Sequence, residues 1–242
     1  MDNNTIMNRE NSGYTIIYAS VMVIIVALGL AFTHQVLIEK QTANVNIDKM
    51  QQILRSLNID ASADEARSQY DALVKNAYLI NSDGTKIEGT EGTTPNDPAF
   101  STELGSDDTA GLPVYEAEVE GTAIYILPMR GAGLWGPIWG YLAVEGDGST
   151  VYGSEFGHAS ETPGLGAEIV TPTFRKQFIG KELFKEGNFV SVAVVKPGRS
   201  AANRDYVDGI SGGTITSQGV DKMLLNSVGE YKSFLMNLQA AQ

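Results

Sequence analysis

A long run of residues without charge, Tyr14 to Phe32, most strongly constrains how this chain can fold. A helix that crosses the hydrocarbon core of a bilayer needs about 20 mostly apolar residues, and this run meets that requirement. Tyr14 and Tyr18 lie near one end of the run, where aromatic side chains anchor a span at the membrane interface. We therefore predict that residues 13–36 form a helix within a lipid bilayer, preceded by a short tail over residues 1–12.

A cleaved signal peptide is the main alternative for this run, because small residues at Ala27–Gly29 or Gly29–Ala31 could form a cleavage site. The run is, however, longer than the apolar region of about 7–15 residues in a signal peptide. The preceding segment also has only Arg9 against Asp2 and Glu10. An uncleaved anchor is favoured over both the signal peptide and a buried helix of a soluble protein. The positive charges on the two sides of the run are nearly balanced, so charge alone does not set its orientation.

The composition excludes several classes of function. The net charge of −12 disfavours nucleic acid as a partner, because its phosphate backbone would be repelled. The chain has no cysteine, which excludes disulfides, iron–sulfur ligation and a catalytic thiol. Only His34 and His158 could offer imidazole ligands, so we expect no histidine-rich metal site.

The residues after the apolar run predict a juxtamembrane helix over 37–60 and one globular domain over 61–242. Alternating apolar residues indicate β-strands at Tyr115–Leu127 and at Phe189–Val195. Apolar residues three and four positions apart between Val220 and Leu238 predict one long helix.

A glycine- and hydroxyl-rich segment, Asp208–Ser217, directly precedes that last helix. Its backbone N–H groups and the positive end of the helix dipole would suit a phosphate. An ordinary helix start with a hydroxyl cap is the alternative. The segment contains neither a Gly-Lys-Ser/Thr sequence nor GxGxxG, so it is neither a Walker A loop nor a dinucleotide fingerprint. The hydroxyls that could cap the helix are Ser211, Thr214, Thr216 and Ser217.

A second irregular segment, Phe156–Ile169, contains a tight turn with Pro163, Gly164 and Gly166. Its polar side chains include His158, Glu161 and Thr162. A lone histidine in such a segment more often has a structural role than a catalytic one. A hydrolase triad using His158 and Ser160 is disfavoured because the sequence has no nucleophile elbow.

Three short motifs resemble one family of membrane flavoproteins. Asp208-x-x-Ser211-Gly212-x-Thr214 is similar to the flavinylation motif Asp-x-x-(Ser/Thr)-Gly-Ala-Thr of covalent FMN proteins. With Gly133–Gly136 (GLWG) and Glu161–Gly166 (ETPGLG) before it, the chain resembles the C subunit family of the Na+-translocating NADH:quinone reductase from Tyr14 to Leu238. The G subunit of the Rnf electron-transport complex is the alternative family. The usual alanine of the motif is Gly213 here, which keeps the position small but adds backbone freedom that could slow modification.

The resemblance implies an α+β FMN-binding domain with an antiparallel sheet and flanking helices. It implies that FMN is esterified to Thr214 by a flavin transferase that uses FAD and recognises Asp208 and Ser211. Gly212 and Gly213 would complete the attachment site. The residues expected near the flavin ring are His158, Glu161, Thr162, Leu165 and Gly166.

The same resemblance implies a function in electron transport. The chain would be an electron-carrier subunit, inactive alone, that relays single electrons from NADH towards ubiquinone while the complex exports Na+. Its partners would be the other membrane subunits. Its domain would lie on the periplasmic side of a bacterial inner membrane, and residues 1–12 would form a short cytoplasmic tail. The other hypotheses are an Rnf subunit, a membrane-anchored sensor without covalent flavin, and a purely structural anchor.

Overall fold

The structure, a computed structural model, describes residues 12–102, 104 and 111–241. The chain divides into two compact units, residues 1–46 and residues 47–242. The predicted cytoplasmic tail lies outside the described residues, apart from the helical backbone of Ser12.

One helix, α1 (Ser12–Ser56), forms the described part of the first unit and continues into the second. It is long and apolar enough to cross a membrane, and the most apolar part of it is not buried by protein. This feature indicates a membrane anchor. The predicted boundary at residues 36 and 37 falls within the uninterrupted helix and stays a prediction. The large apolar side chains exposed along it include Ile16, Ile17, Val23, Leu28, Leu30 and Phe32.

The second unit is built on a five-stranded antiparallel sheet in the order β1-β2-β3-β4-β5. These strands are β1 (Val74–Ile80), β2 (Leu112–Val119), β3 (Thr122–Ala132), β4 (Pro137–Glu145) and β5 (Val151–His158). Four shorter strands form an antiparallel pair, β6 (Phe184–Lys185) with β7 (Asn188–Phe189), and a parallel pair, β8 (Ala193–Val195) with β9 (Tyr206–Asp208).

Helices pack around this sheet and confirm the predicted α+β class. The α-helices that follow α1 are α2 (Ala63–Leu73), α3 (Pro98–Ser101), α4 (Pro172–Arg175), α5 (Thr214–Asn226) and α6 (Lys232–Ala240). Short 3-10 segments cover Gly166–Val170, Lys176–Phe178 and Val228–Tyr231.

Alternating residues of the sheet contribute to two separate hydrophobic cores. Ile124 and Ile126 of β3 pack with Leu54 of α1 and with residues of α2. Leu127 and Met129 of the same strand pack instead with residues of α5 and α6. Because successive side chains of a strand point to opposite faces, β3 separates the two cores. The end of α1 is therefore part of the core of the second unit.

The strand predicted over Tyr115–Leu127 is wrong, because two strands and a hairpin turn occupy this stretch. Glu120 and Gly121 both have positive φ, 51° and 79°, and Val119 pairs directly with Thr122. Positive φ at both central residues is the geometry of a tight two-residue hairpin. Glutamate is not among the residues that favour this turn, so no local pattern indicated it.

Two other predicted elements are also interrupted. The strand expected over Phe189–Val195 breaks at Ser191, which is buried with a φ of 61°, and only its ends belong to β7 and β8. The helix expected over Val220–Leu238 is α5 and α6 joined by a 3-10 turn. Its apolar periodicity survives because the side chains on both sides of the break pack into one core.

We expect Leu54→Ala to reduce the free energy of unfolding by about 2–5 kcal/mol, because the side chain is fully buried against the sheet. The matched control is Leu225→Ala, since Leu225 is 40% exposed and its truncation leaves no cavity. Urea unfolding followed by tryptophan fluorescence measures both. Equal losses for the two variants would contradict the placement of α1 in this core.

Candidate functional site

The two motif segments GLWG and ETPGLG meet at one end of the sheet. The GLWG turn, residues 133–136, connects β3 to β4, and β5 ends at His158, which pairs with Ile138. The chain that leaves β5 then passes beside the turn, where Ser160 Oγ donates a hydrogen bond to the Trp135 carbonyl at 3.0 Å. The sheet therefore brings two segments that are distant in sequence into contact.

The side chain of Glu161 joins these segments to the start of α5. Its Oε1 accepts a hydrogen bond from the Trp135 N–H at 2.8 Å, and its Oε2 accepts one from Thr216 Oγ1 at 2.5 Å. The residue is 4% exposed. Its own N–H donates to His158 Nδ1 at 3.2 Å. Glu161 thus connects the GLWG turn, the end of β5 and the first turn of α5.

Because Gly166 has no side chain, the Glu161 carboxylate can occupy the space beside it. A Cβ added at Gly166 would lie 2.3 Å from Thr216 Oγ1 and 2.5 Å from Glu161 Oε2. No side chain fits at those distances, so the close approach of the ETPGLG turn to α5 requires glycine here.

The carboxyl group of Glu161 is held in its ionised form. Burial alone would raise its pKa, but hydrogen bonds from Thr216 and from the backbone N–H groups of Trp135 and Leu134, with the nearby His158, together lower its pKa below the usual value. The site therefore contains a buried carboxylate whose charge is compensated by hydrogen-bond donors.

The prediction that a hydroxyl caps α5 is wrong. Gly213 is the N-cap residue, and no side chain caps the helix. Thr216 bonds to Glu161, while Ser217 Oγ donates to the Gly213 carbonyl and accepts the Ile210 N–H, both at 2.9 Å. Thr214 is the first residue of α5 and is exposed, and its hydroxyl forms no hydrogen bond with any described residue. Its oxygen is consequently accessible for reaction.

A cleft of about 340 Å³ lies beside Thr214. Its two walls are the end of β8 with the residues that follow it and the loop between β9 and α5. Apolar, glycine and hydroxyl residues dominate the lining. The residues that line the cleft are Val194, Val195, Lys196, Pro197, Gly209, Ile210, Ser211, Gly212, Thr214, Ser217 and Gln218.

The remaining residues of the flavinylation motif have different surroundings. Ser211 is exposed in the wall of the cleft. Asp208 ends β9 with an exposed side chain, and its backbone is held by Gln177, whose Oε1 accepts the Asp208 N–H at 2.9 Å. The carboxylate of Asp208 is therefore available to a partner protein and lies outside the lining of the cleft.

The two glycines of the motif differ in what they require. Gly212 has a φ of +77°, and a Cβ there would lie 2.7 Å from Leu165 Cδ2. Gly213 has an ordinary φ of −102°, and an added Cβ would lie 3.1 Å from Ile210 Cβ and 3.2 Å from the Gly166 nitrogen. An alanine at position 213 would thus need only small adjustments, whereas position 212 requires glycine.

Of the residues expected near the flavin ring, Leu165 and Gly166 contact the segment that precedes Thr214, whereas His158 lines a different cleft. Leu165, 41% exposed, lies against Gly212, and Gly166 is buried beside Gly213. Thr162 is exposed and accepts the N–H groups of Leu165 and Ala167 through its carbonyl oxygen, each at 3.1 Å. His158 is the last residue of β5 and lines a separate cleft of about 440 Å³ with Trp139 and Arg175.

Sequence reasoning missed three residues of this region. Trp135 donates its backbone N–H to the Glu161 carboxylate, and the residue is 65% exposed. Thr216 donates its hydroxyl to the same carboxylate, and Lys196 lines the cleft beside Thr214. The GLWG motif already contained Trp135, and Thr216 was considered only as a cap. The lysine had no recognisable signal, because β8 and the loop after it were not expected beside α5.

Comparison with known proteins decides the family. The model of the FMN-binding domain family matches residues 133–228, which include the GLWG turn, the ETPGLG turn and α5. The C subunit of the Na(+)-translocating NADH-quinone reductase from Pseudomonas aeruginosa is 31% identical over 97% of this chain and 99% of its own length. That of Vibrio vulnificus is 32% identical over 75% of this chain and 77% of its own length.

The chain belongs to the C subunit family of the Na(+)-translocating NADH-quinone reductase. A crystal structure of the C subunit from Parabacteroides distasonis is similar, with a TM-score of 0.76 and 52% identity over 82% of this chain and 96% of that one. The family predicted from the three motifs is thereby confirmed, as is an FMN-binding domain. Membership makes the chain one component of a larger oxidoreductase complex.

The ionised state of Glu161 generates a prediction on acid stability. The folded pKa is lower than the unfolded value, so the unfolded chain binds more protons in the interval between them, and stability is lost as the pH falls through the folded pKa. We expect Glu161→Gln to remove this contribution. Below about pH 4.5, the free energy of unfolding should then fall less steeply with decreasing pH than in the unchanged chain.

Urea unfolding at a series of pH values measures this slope. Glu118→Gln is the matched control, because Glu118 is exposed on β2. An acid slope that Glu161→Gln leaves unaltered would contradict an ionised carboxylate at this position.

Proposed function

We propose that this chain is an FMN electron carrier of a Na+-translocating NADH:quinone reductase, with the cofactor joined to Thr214 by a phosphoester bond. The observation that supports this most directly is the exposed hydroxyl of Thr214 at the first residue of α5. The neighbouring hydroxyls of Thr216 and Ser217 are buried and already hydrogen bonded. Thr214 is therefore the hydroxyl that an enzyme can reach at this helix start.

Attachment at Thr214 is a balanced group transfer when FAD is the donor. The Thr214 oxygen attacks the phosphorus of the FMN half of FAD, and the bond from that phosphorus to the bridging oxygen breaks. AMP leaves with the bonding electrons, and the hydroxyl proton passes to a base of the flavin transferase. In this proposal Asp208 and Ser211, both exposed, are the residues that the transferase recognises.

The surroundings of Thr214 suit a phosphate group. The first N–H groups of a helix lack acceptors within the helix, and the helix dipole is positive at that end. The cleft beside Thr214 also lies within the size range of about 300–1,000 Å³ that is usual for small-molecule sites. The residues present therefore fit the phosphate end of FMN.

The protein holds and orients the cofactor, while FMN supplies the exchange of electrons. In the proposal Leu165 and Gly166, which touch the glycines of the motif, lie near the ring with Glu161, Thr162 and His158. A covalent bond keeps the cofactor with the protein where free FMN is scarce. Since the chain has no cysteine, any iron–sulfur centre that exchanges electrons with it must belong to another subunit.

We expect Thr214→Val to abolish attachment of FMN, because valine has a similar shape and no nucleophilic oxygen. Thr214→Ser should retain it. The measurement is the intact mass and the flavin fluorescence of denatured protein after co-expression with a flavin transferase. Thr122→Val, a change at an exposed strand residue, is the matched control. A fluorescent, mass-shifted Thr214→Val protein would overturn the proposed attachment site.

We also propose that residues 13–36 cross the bacterial inner membrane once, with the FMN domain on the periplasmic side. The exposed apolar side chains of α1 support the anchor. In spheroplasts, an added protease should digest residues 61–242 without lysis, because the outer face of the membrane is accessible. Protection of this domain until lysis would place it in the cytoplasm instead.

A further inference from the structure

Lys196 has an unusual position for a cation in a chain of net charge −12. Among the described residues that line the cleft beside Thr214, it is the only charged one. It is exposed and follows directly on β8, and it lines the same cleft as Thr214 at the start of α5. The cleft thus has one positive side chain and no carboxylate in its described lining.

The wall that contains Lys196 is anchored to the helix that contains Thr214. Asp221, two turns after Thr214 on α5, accepts the Val194 N–H at 3.0 Å and Arg204 Nη2 at 3.1 Å through its Oδ1. These two contacts hold β8, just before the connection to β9 begins, and Arg204, close to the end of that connection. The lysine is therefore presented by a loop whose two ends are fixed to α5.

The opposite wall is fixed in the same way. The Gly209 N–H donates to the Val195 carbonyl at 2.7 Å, which extends the pairing of β8 with β9 by one residue to Gly209 in the lining of the cleft. Ser217 then ties the loop to α5 through Ile210 and Gly213. Hydrogen bonds within the chain thus fix both segments of the lining, so little ordering is needed when a phosphate enters.

We propose that Lys196 is a phosphate-binding residue that positions the incoming FMN phosphate for attachment to Thr214 and then holds the phosphodiester in the cleft. This inference rests on the proposed function. A phosphodiester keeps a negative charge, and hydrogen bonds to charged groups are the stronger ones. In an acidic chain, an anion at this site needs a cation close to it, and Lys196 supplies that charge.

The test compares the initial rates at which a purified flavin transferase and FAD modify the full chain in detergent. Lys196→Gln should be modified about tenfold more slowly, because a charge-assisted hydrogen bond is lost. Lys196→Arg should restore most of the rate. The matched control is Lys75→Gln. The Lys75 side chain is exposed and, in the described structure, donates a hydrogen bond only to the Ala72 carbonyl. The rate of Lys75→Gln should equal that of the unchanged chain.

A second measurement separates binding of the phosphate from recognition by the transferase. Covalent loading with FMN should raise the unfolding temperature of the unchanged chain more than that of Lys196→Gln. The unloaded proteins should unfold at the same temperature, because Lys196 is exposed.

Each outcome decides between distinct conclusions. An unchanged rate in Lys196→Gln would overturn the inference and leave Thr214 as the attachment site. A slower rate with equal stabilisation by FMN would show that Lys196 contacts the transferase rather than the phosphate, which also overturns it. Failure of the unchanged chain to acquire FMN would refute the proposed function itself.

Discussion

The buried carboxylate of Glu161 is the constraint on which the functional end of this molecule depends. A buried charge is costly unless hydrogen-bond donors compensate it, and here the donors come from the GLWG turn and from Thr216 of α5. Satisfying that one charge therefore fixes the position of both elements. Gly166 makes the arrangement possible, because any side chain there would collide with the carboxylate and with Thr216.

The hydroxyl groups at the start of α5 fall into two kinds, those that form hydrogen bonds within the protein and the one that is exposed for reaction. Thr216 and Ser217 are used to hold α5 against the ETPGLG turn and its own loop, so that Gly213 serves as the N-cap without a side chain. The hydroxyl of Thr214 forms no hydrogen bond with a described residue, and the side chain is exposed in the lining of the cleft. Within the first turn of α5, Thr214 is thus the one hydroxyl that the described structure leaves without a hydrogen bond, and covalent attachment of a phosphate requires a positioned group of this kind.

The sequence predicted the α+β class, the family and the apolar helix, because these depend on composition, periodicity and short motifs that belong to contiguous residues. It failed where the structure depends on contacts between distant segments. Glu120 in a tight turn and Ser191 at positive φ have no local signal. The register of β2 with β3 imposes the first conformation, and the second accompanies the hydrogen bonds that Val190 and Ser191 both donate to the Leu183 carbonyl. Likewise, Lys196 lies near Thr214 because Asp221 holds β8 against α5. The motifs named Glu161, but not its bond to Thr216.

Peptide mapping of the protein purified from its own host tests the central claim most directly. Cleavage after Arg204 and Lys222 releases one peptide, residues 205–222, that contains Ser211, Thr214, Thr216 and Ser217 together. Fragmentation of this peptide in the mass spectrometer distinguishes the hydroxyls. The account predicts an FMN phosphoester on Thr214 and unmodified neighbours. An unmodified peptide, or FMN on Ser211, Thr216 or Ser217, would contradict it.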